Sequence, residues 1–109
     1  MTKVSIVRKN KSISVIECDG HTNYGEKGED IVCAALSSIV QTAVLGILQV
    51  AGVQVKMERE DKRGYLKIVI PENLSSEKQK EVDIITNTML LGVADLNEGF
   101  SDFIELEVR

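Results

Sequence analysis

Residues 31–52, IVCAALSSIVQTAVLGILQVAG, contain no charged side chain, and this stretch limits the possible folds more than any other part of the chain. Its length is close to the ~20 apolar residues that cross a bilayer. Yet Ser37, Ser38, Gln41, Thr42 and Gln49 interrupt it, Gly46 and Gly52 dilute it, and neither flank carries the basic cluster that orients a membrane helix. A helix that is apolar nearly all round but not in a membrane belongs in a protein core. The segment is therefore expected to form a buried helix from Ile31 to about Ala51. Gly52 is placed to end it in a left-handed conformation.

The flanking segments alternate as strands do. Val4 and Ile6, then Ile13 and Val15, form two β-branched runs separated by KNKS, a hairpin pattern. Val53, Val55 and Met57, then Leu66, Ile68 and Ile70, make a second hairpin across the charged link REDKRG, which Pro71 closes. Ser75 opens a second helix in which Val82, Ile85, Met89, Val93 and Leu96 recur at helical spacing, with Gly99 beyond its end. Ile104, Leu106 and Val108 form a last strand. The order β-β-α-β-β-α-β implies an α+β fold, a two-layer single domain over residues 1–109 with two helices packed on a mixed sheet. A chain of 109 residues has little material for a second core.

Charge narrows the function. Asp and Glu outnumber Lys and Arg by 17 to 13, for a formal net charge of −4, so the chain lacks the basic footprint of a nucleic-acid binder. Two cysteines, Cys18 and Cys33, are too few for a disulfide-stapled secreted domain, and the start MTKVSIVRKN has no signal-peptide core. A cytoplasmic location is expected.

Between the first hairpin and the long helix, DGHTNYGEKGED carries three glycines and almost no apolar residue, so it reads as a surface loop. The sole histidine, His21, lies at one end of it and Cys33 just beyond the other. A cysteine attacks a carbonyl as thiolate, and its ordinary pKa of ~8.5 falls at a helix N-terminus or beside a histidinium. With Asp30 as N-cap, Cys33 falls in the first helical turn, where unbonded N–H groups favour a negative sulfur and could hold an oxyanion. The run IVCAAL would equally bury Cys33 as a small hydrophobe. Cys18, in alternation with Ile16 and Ser14, reads as structural. Cys18, His21 and Cys33 together suit zinc in number, but there is no second ligand pair at finger spacing, and no metal or cofactor is expected. The glycines match neither phosphate-loop pattern.

The stretch DGHTNYGEKGEDIVCAALS, residues 19–37, closely resembles the signature of the ribosomal-processing cysteine protease family of Firmicutes and relatives, often called Prp. The GH pair, the glycine-bearing loop and the DIVCAA-x-S block occur in the family's order and spacing, and length and element order agree over the whole chain. The resemblance implies that His21 and Cys33 form a catalytic dyad, with Asp30 and Ser37 as possible supporting residues. It implies a homodimer and a substrate: the N-terminal peptide of a large-subunit ribosomal protein, the twenty-seventh, cut after a pair of phenylalanines. It also implies that Thr22, Asn23, Tyr24, Gly25, Glu26, Lys27, Gly28 and Glu29 order over the bound peptide. Thr22 departs from the alanine usual after GH. Asp30 either caps the helix, its preferred use, or orients His21. Asp19, Glu26, Glu29 and Asp30 would form an acidic rim for a basic substrate arm. Two rivals remain: a binding protein that escorts a ribosomal protein without cutting it, and a thiol redox protein using both cysteines.

Overall fold

In a computed structural model the backbone is described for residues 1–20 and 27–109, and the side chains for all of these except 27–30. Strands β1 (Thr2–Lys9) and β2 (Ser12–Asp19) form an antiparallel hairpin. Only Asn10 and Lys11 lie between them, both left-handed at φ 54° and 70°, the backbone a tight two-residue turn demands. Helix α1 (Lys27–Leu45) follows, then a π-helical turn over Gly46–Val50. A second antiparallel hairpin, β3 (Lys56–Glu60) and β4 (Tyr65–Val69), leads to α2 (Ser76–Gly99) and β5 (Ile104–Val108). The sheet order is β3-β4-β2-β1-β5, with β1 and β5 parallel and the other neighbours antiparallel. The mixed sheet, the two helices and their order are those expected from the sequence.

The core lies between the layers. Val32, Leu36, Val40, Val44 and Ile47 of the long apolar stretch, Val82, Met89 and Val93 of α2, and Val4, Ile6, Ile16 and Ile68 of the sheet are buried together. Each such side chain contributes roughly 1.5–3 kcal/mol by leaving water. Among the described residues Ile31–Val50, of mean hydropathy 2.2, is long and apolar enough to cross a membrane. Its inward stripe is instead covered by the sheet and α2. The helices pack closely because an added Cβ at Gly92 would stand 3.3 Å from Ile39, and one at Gly46 3.5 Å from Ile85.

Five local features differ from the sequence expectation. First, β2 carries a bulge: Val7 pairs with Val15 but Arg8 pairs with Ile13, leaving Ser14 as the extra residue. Its hydroxyl donates to the Val7 carbonyl at 3.2 Å, and its carbonyl accepts from Ile70 N–H at 2.9 Å. The inward phase therefore shifts from Ile13 to Ile16 and Cys18, and Val15 leaves the core. Second, α1 begins at Lys27 rather than after Asp30, so Asp30 is not the N-cap and lies in the first turn. Third, α1 gives way at Gly46 to a wider turn, in which Ala51 N–H reaches the Gly46 carbonyl at 2.9 Å. Gly52 then takes the expected left-handed conformation at φ 69°. Fourth, β3 begins at Lys56: Val53 is buried ahead of it and donates to the Ile47 carbonyl at 2.9 Å, closing the helix end. Fifth, Gly99 is the last residue of α2 and not beyond it, while Ser75 caps the helix as expected, accepting from Lys78 N–H at 3.2 Å.

Candidate active site

Both cysteines line one groove. About 300 Å³ in volume, it lies between α1 and the sheet, at the end of β2 where the chain leaves toward His21. Cys33, Ser37 and Gln41 stand along α1 at successive i, i+4 positions, so one helix face presents all three to the groove. Gln41 Nε2 donates to Ser37 Oγ at 2.6 Å. Thr2, Cys18 and Leu66 contribute from the sheet, and Arg59, Asp61, Gly64 and Tyr65 come from the β3–β4 hairpin.

Cys33 is half-buried and Cys18 is buried, and neither is in a disulfide. Because α1 starts at Lys27, Cys33 sits in its second turn, not its first. Its backbone N–H is committed to the helix ladder and the dipole is weaker there, so the oxyanion and thiolate roles expected of unbonded first-turn groups do not fall to Cys33's own amide. The structure offers a different polar neighbour: Thr2 Oγ1 lies 3.3 Å from Cys33 Sγ. Thr2 belongs to no local sequence motif. The available signal was a hydroxyl residue in phase with inward-facing Val4 and Ile6, where another aliphatic side chain would be the ordinary choice.

Cys18 has the opposite character. Burial, reinforced by the neighbouring Glu17 carboxylate, pushes its thiol up to about 12, so the thiolate needed for redox exchange or zinc is suppressed. This fits the structural role expected for Cys18 and disfavours the two-cysteine redox reading.

Gly20, the residue before His21, has φ +87°, and a Cβ there would meet the Met1 carbonyl oxygen at 3.3 Å. The GH pair thus needs its glycine for a left-handed turn against the N-terminal strand. His21 and Thr22, Asn23, Tyr24, Gly25 and Glu26 lie outside the described residues. Lys27, Gly28 and Glu29, expected in the loop, belong to the backbone of α1. The described part of the rim is not uniformly acidic, because Asp19 is paired with Arg63 at 3.1 Å and Asp61 with Arg59 at 2.6 Å. Arg63 also stacks 4.2 Å above the Tyr65 ring, whose hydroxyl donates to Glu17 at 2.6 Å. That hydrogen bond is the main reason Tyr65 is raised to about 12.

Residues 1–105 match the sequence profile of the family described as cysteine protease Prp. The chain belongs to the Prp family. It is accordingly a cysteine protease, a hydrolase of peptide bonds. It is 27% identical over 103 residues to the ribosomal processing cysteine protease Prp of Bacillus subtilis, covering 94% of this chain and 92% of that protein. Its fold is similar to that of the S. aureus ribosomal processing protease Prp solved with a covalently linked product peptide, with a TM-score of 0.85, 25% identity and all of both chains covered. A Streptococcus mutans protein, SMU.848, superposes with a TM-score of 0.89 at 27% identity over 99% of this chain and 93% of that one. Membership of the Prp family sets aside the non-catalytic escort reading.

Proposed function

We propose that this Prp-family protease removes the N-terminal extension of a large-subunit ribosomal protein, the twenty-seventh, with Cys33 as nucleophile and His21 as general base. The observation that carries this reading is a half-buried thiol on the wall of a groove, in a chain whose other cysteine is buried and held protonated. Relatives named for ribosomal processing, one of them solved with a covalently linked product peptide, support the substrate class.

In the proposed reaction His21 takes the Cys33 proton, and the sulfur forms a bond to the scissile carbonyl carbon as the π electrons move to oxygen. Collapse expels the amine, which receives the proton from the imidazolium. Water then attacks the thioester, His21 takes its proton, and the thiolate leaves. Asp30 has a supporting role in this scheme, as the family resemblance implies. Ser37, one turn beyond Cys33 and bonded to Gln41, lines the groove where the peptide would lie.

The part of the expected loop that precedes α1, Thr22–Glu26, closes over bound peptide. The enzyme works in the cytoplasm as a homodimer, on protein rather than on nucleic acid or membrane. Exposed Ile31 and Leu45 on α1 and Ile84 and Leu91 on α2 favour such self-association.

The test is incubation of the purified enzyme with the extended and the trimmed ribosomal protein, weighing the products. Only the extended form should lose mass. Cys33→Ala and His21→Ala should abolish or cripple the cut, whereas Cys18→Ala should leave it nearly intact. Cleavage by the Cys33 variant would end this assignment. Sedimentation of a stable species near 12 kDa at micromolar concentration would remove the homodimer.

A further inference from the structure

Thr2 presents a hydroxyl to the groove. It starts β1, its N–H donates to the Phe103 carbonyl at 2.9 Å, and it pairs with Ile104, so its backbone is held on the β5 side. Thr2 is 5% exposed and shares the inward row of Val4 and Ile6, which are fully buried. A hydroxyl so placed has little access to water, and an unmade hydrogen bond there would carry a desolvation penalty. Cys33 Sγ at 3.3 Å is the partner the structure gives it. With a neutral thiol, either group can donate. A thiolate has no proton to give, so the hydroxyl must then be the donor, and a hydrogen bond to an ionised acceptor is roughly twice as strong as a neutral one.

We propose that Thr2 Oγ1–H is a catalytic hydrogen-bond donor to the Cys33 sulfur, holding it as the thiolate before attack and stabilising it again as the leaving group when water resolves the thioester. The role rests on Cys33 being the nucleophile. It supplies part of the thiolate stabilisation that the second-turn position of Cys33 takes away from the helix N-terminus. Donation weakens while sulfur is acylated, because a thioester sulfur carries no full charge, so the bond acts at the two steps in which sulfur is anionic. Thr2 touches the reacting atom from the sheet side, opposite the helix that carries it.

The experiment compares wild type with Thr2→Val, which keeps the shape and removes the hydroxyl, Thr2→Ala as a second hydroxyl-free variant, and Thr2→Ser. Three quantities are read: melting temperature, cleavage of the extended ribosomal peptide, and the pH profile of Cys33 carboxamidomethylation by iodoacetamide, followed by mass. Cys18, Arg59, Asp61 and Tyr65 face the same groove, and they, His21 and the ionisable residues of the first turn of α1 are the same in every variant.

The hydroxyl-free variants should lose roughly 10-fold or more in cleavage, the size of a hydrogen bond to a charged group. Their alkylation profile should move to higher pH and cross the wild-type curve. It should run slower at neutral pH, where thiolate is scarcer, and faster at its alkaline plateau, because a more basic thiolate is the better nucleophile. Thr2→Ser should recover most of both effects. The melting temperature of Thr2→Val should hold or rise, since a methyl suits the apolar row. Wild-type cleavage and an unshifted alkylation profile in the folded Val and Ala variants, with Cys33→Ala inactive, would overturn the role of Thr2 alone. Activity in Cys33→Ala would remove the nucleophile assignment and the Thr2 role with it.

Discussion

Cys18 and Cys33 line one groove from opposite layers, the first on β2 and the second on α1, and their surroundings make them chemically unlike. Cys18 is 9% exposed and pairs in register with Val4 and Leu66 in the sheet, whereas Cys33 is open enough to line the groove with a hydroxyl at its sulfur. Limited treatment of the native protein with iodoacetamide should therefore add one carboxamidomethyl group, at Cys33. Cys18 should react only after unfolding in guanidinium. Peptide mapping checks this, and modification of both sulfurs at equal rates in native protein would refute the contrast.

The same burial makes stability depend on alkaline pH. The Cys18 thiol has an ordinary value of 9.0 and is pushed up to about 12 in the folded protein. Below pH 9 it is protonated folded or unfolded and adds no slope. Above 9 the unfolded chain ionises first and releases a proton the folded chain keeps, so stability falls as pH rises toward 12. The slope from this one group is at most about 1.4 kcal/mol per pH unit. Denaturant unfolding at several pH values should show Cys18→Ala with a shallower decline above pH 9 than wild type, whatever its starting stability. Tyr65 steepens both curves from about pH 10 upward, because its folded value is also raised to about 12. Parallel curves for the two proteins would count against the assignment.

Periodicity made most elements legible, and its failures have local causes. The inward row of β2 changes phase at the Ser14 bulge, and no run of β-branched residues discloses one extra unpaired residue. The start of α1 was hidden because Lys27–Asp30 supply a polar, glycine-containing first turn with no apolar residue to reveal helical spacing. The π-helical turn at Gly46–Val50 keeps an apolar composition that an α-helix shares. At the site, Cys33 and Ser37 were legible through a local motif. Thr2 was not, because its meeting with Cys33 joins the first strand to a helix 31 positions away in sequence.

Helix α2 has a measurable dependence on its cap. Ser75 Oγ accepts from Lys78 N–H at 3.2 Å, an amide with no partner in the helix ladder, while its carbonyl accepts the first ladder bond, from Gln79 N–H at 2.8 Å. Ser75→Ala keeps the carbonyl bond and loses the side-chain bond. The expected loss is about 1 kcal/mol, seen as a fall of roughly 4–8 °C in melting temperature for a domain near this size. Cleavage at 25 °C should be unaffected, because the cap is remote from the groove.

Gly20→Ala should damage activity as well as stability. At φ +87° an L side chain is strained by about 1–2 kcal/mol. The new Cβ would also stand 3.3 Å from the Met1 carbonyl oxygen, a backbone atom of the residue beside Thr2. Relief of that contact must move either the start of β1, which carries the hydroxyl at Cys33, or the backbone leading into His21. Both displacements reach the proposed chemistry, and a misplacement near 1 Å can cost ~100-fold in rate. The variant should melt lower by roughly 4–8 °C per kcal/mol of that strain and cut the extended ribosomal peptide at least tenfold more slowly. Circular dichroism melting and a cleavage time course, run on the same preparation, check the two effects together. Wild-type cleavage in a Gly20→Ala protein whose melting temperature has fallen would show that the glycine serves the fold alone.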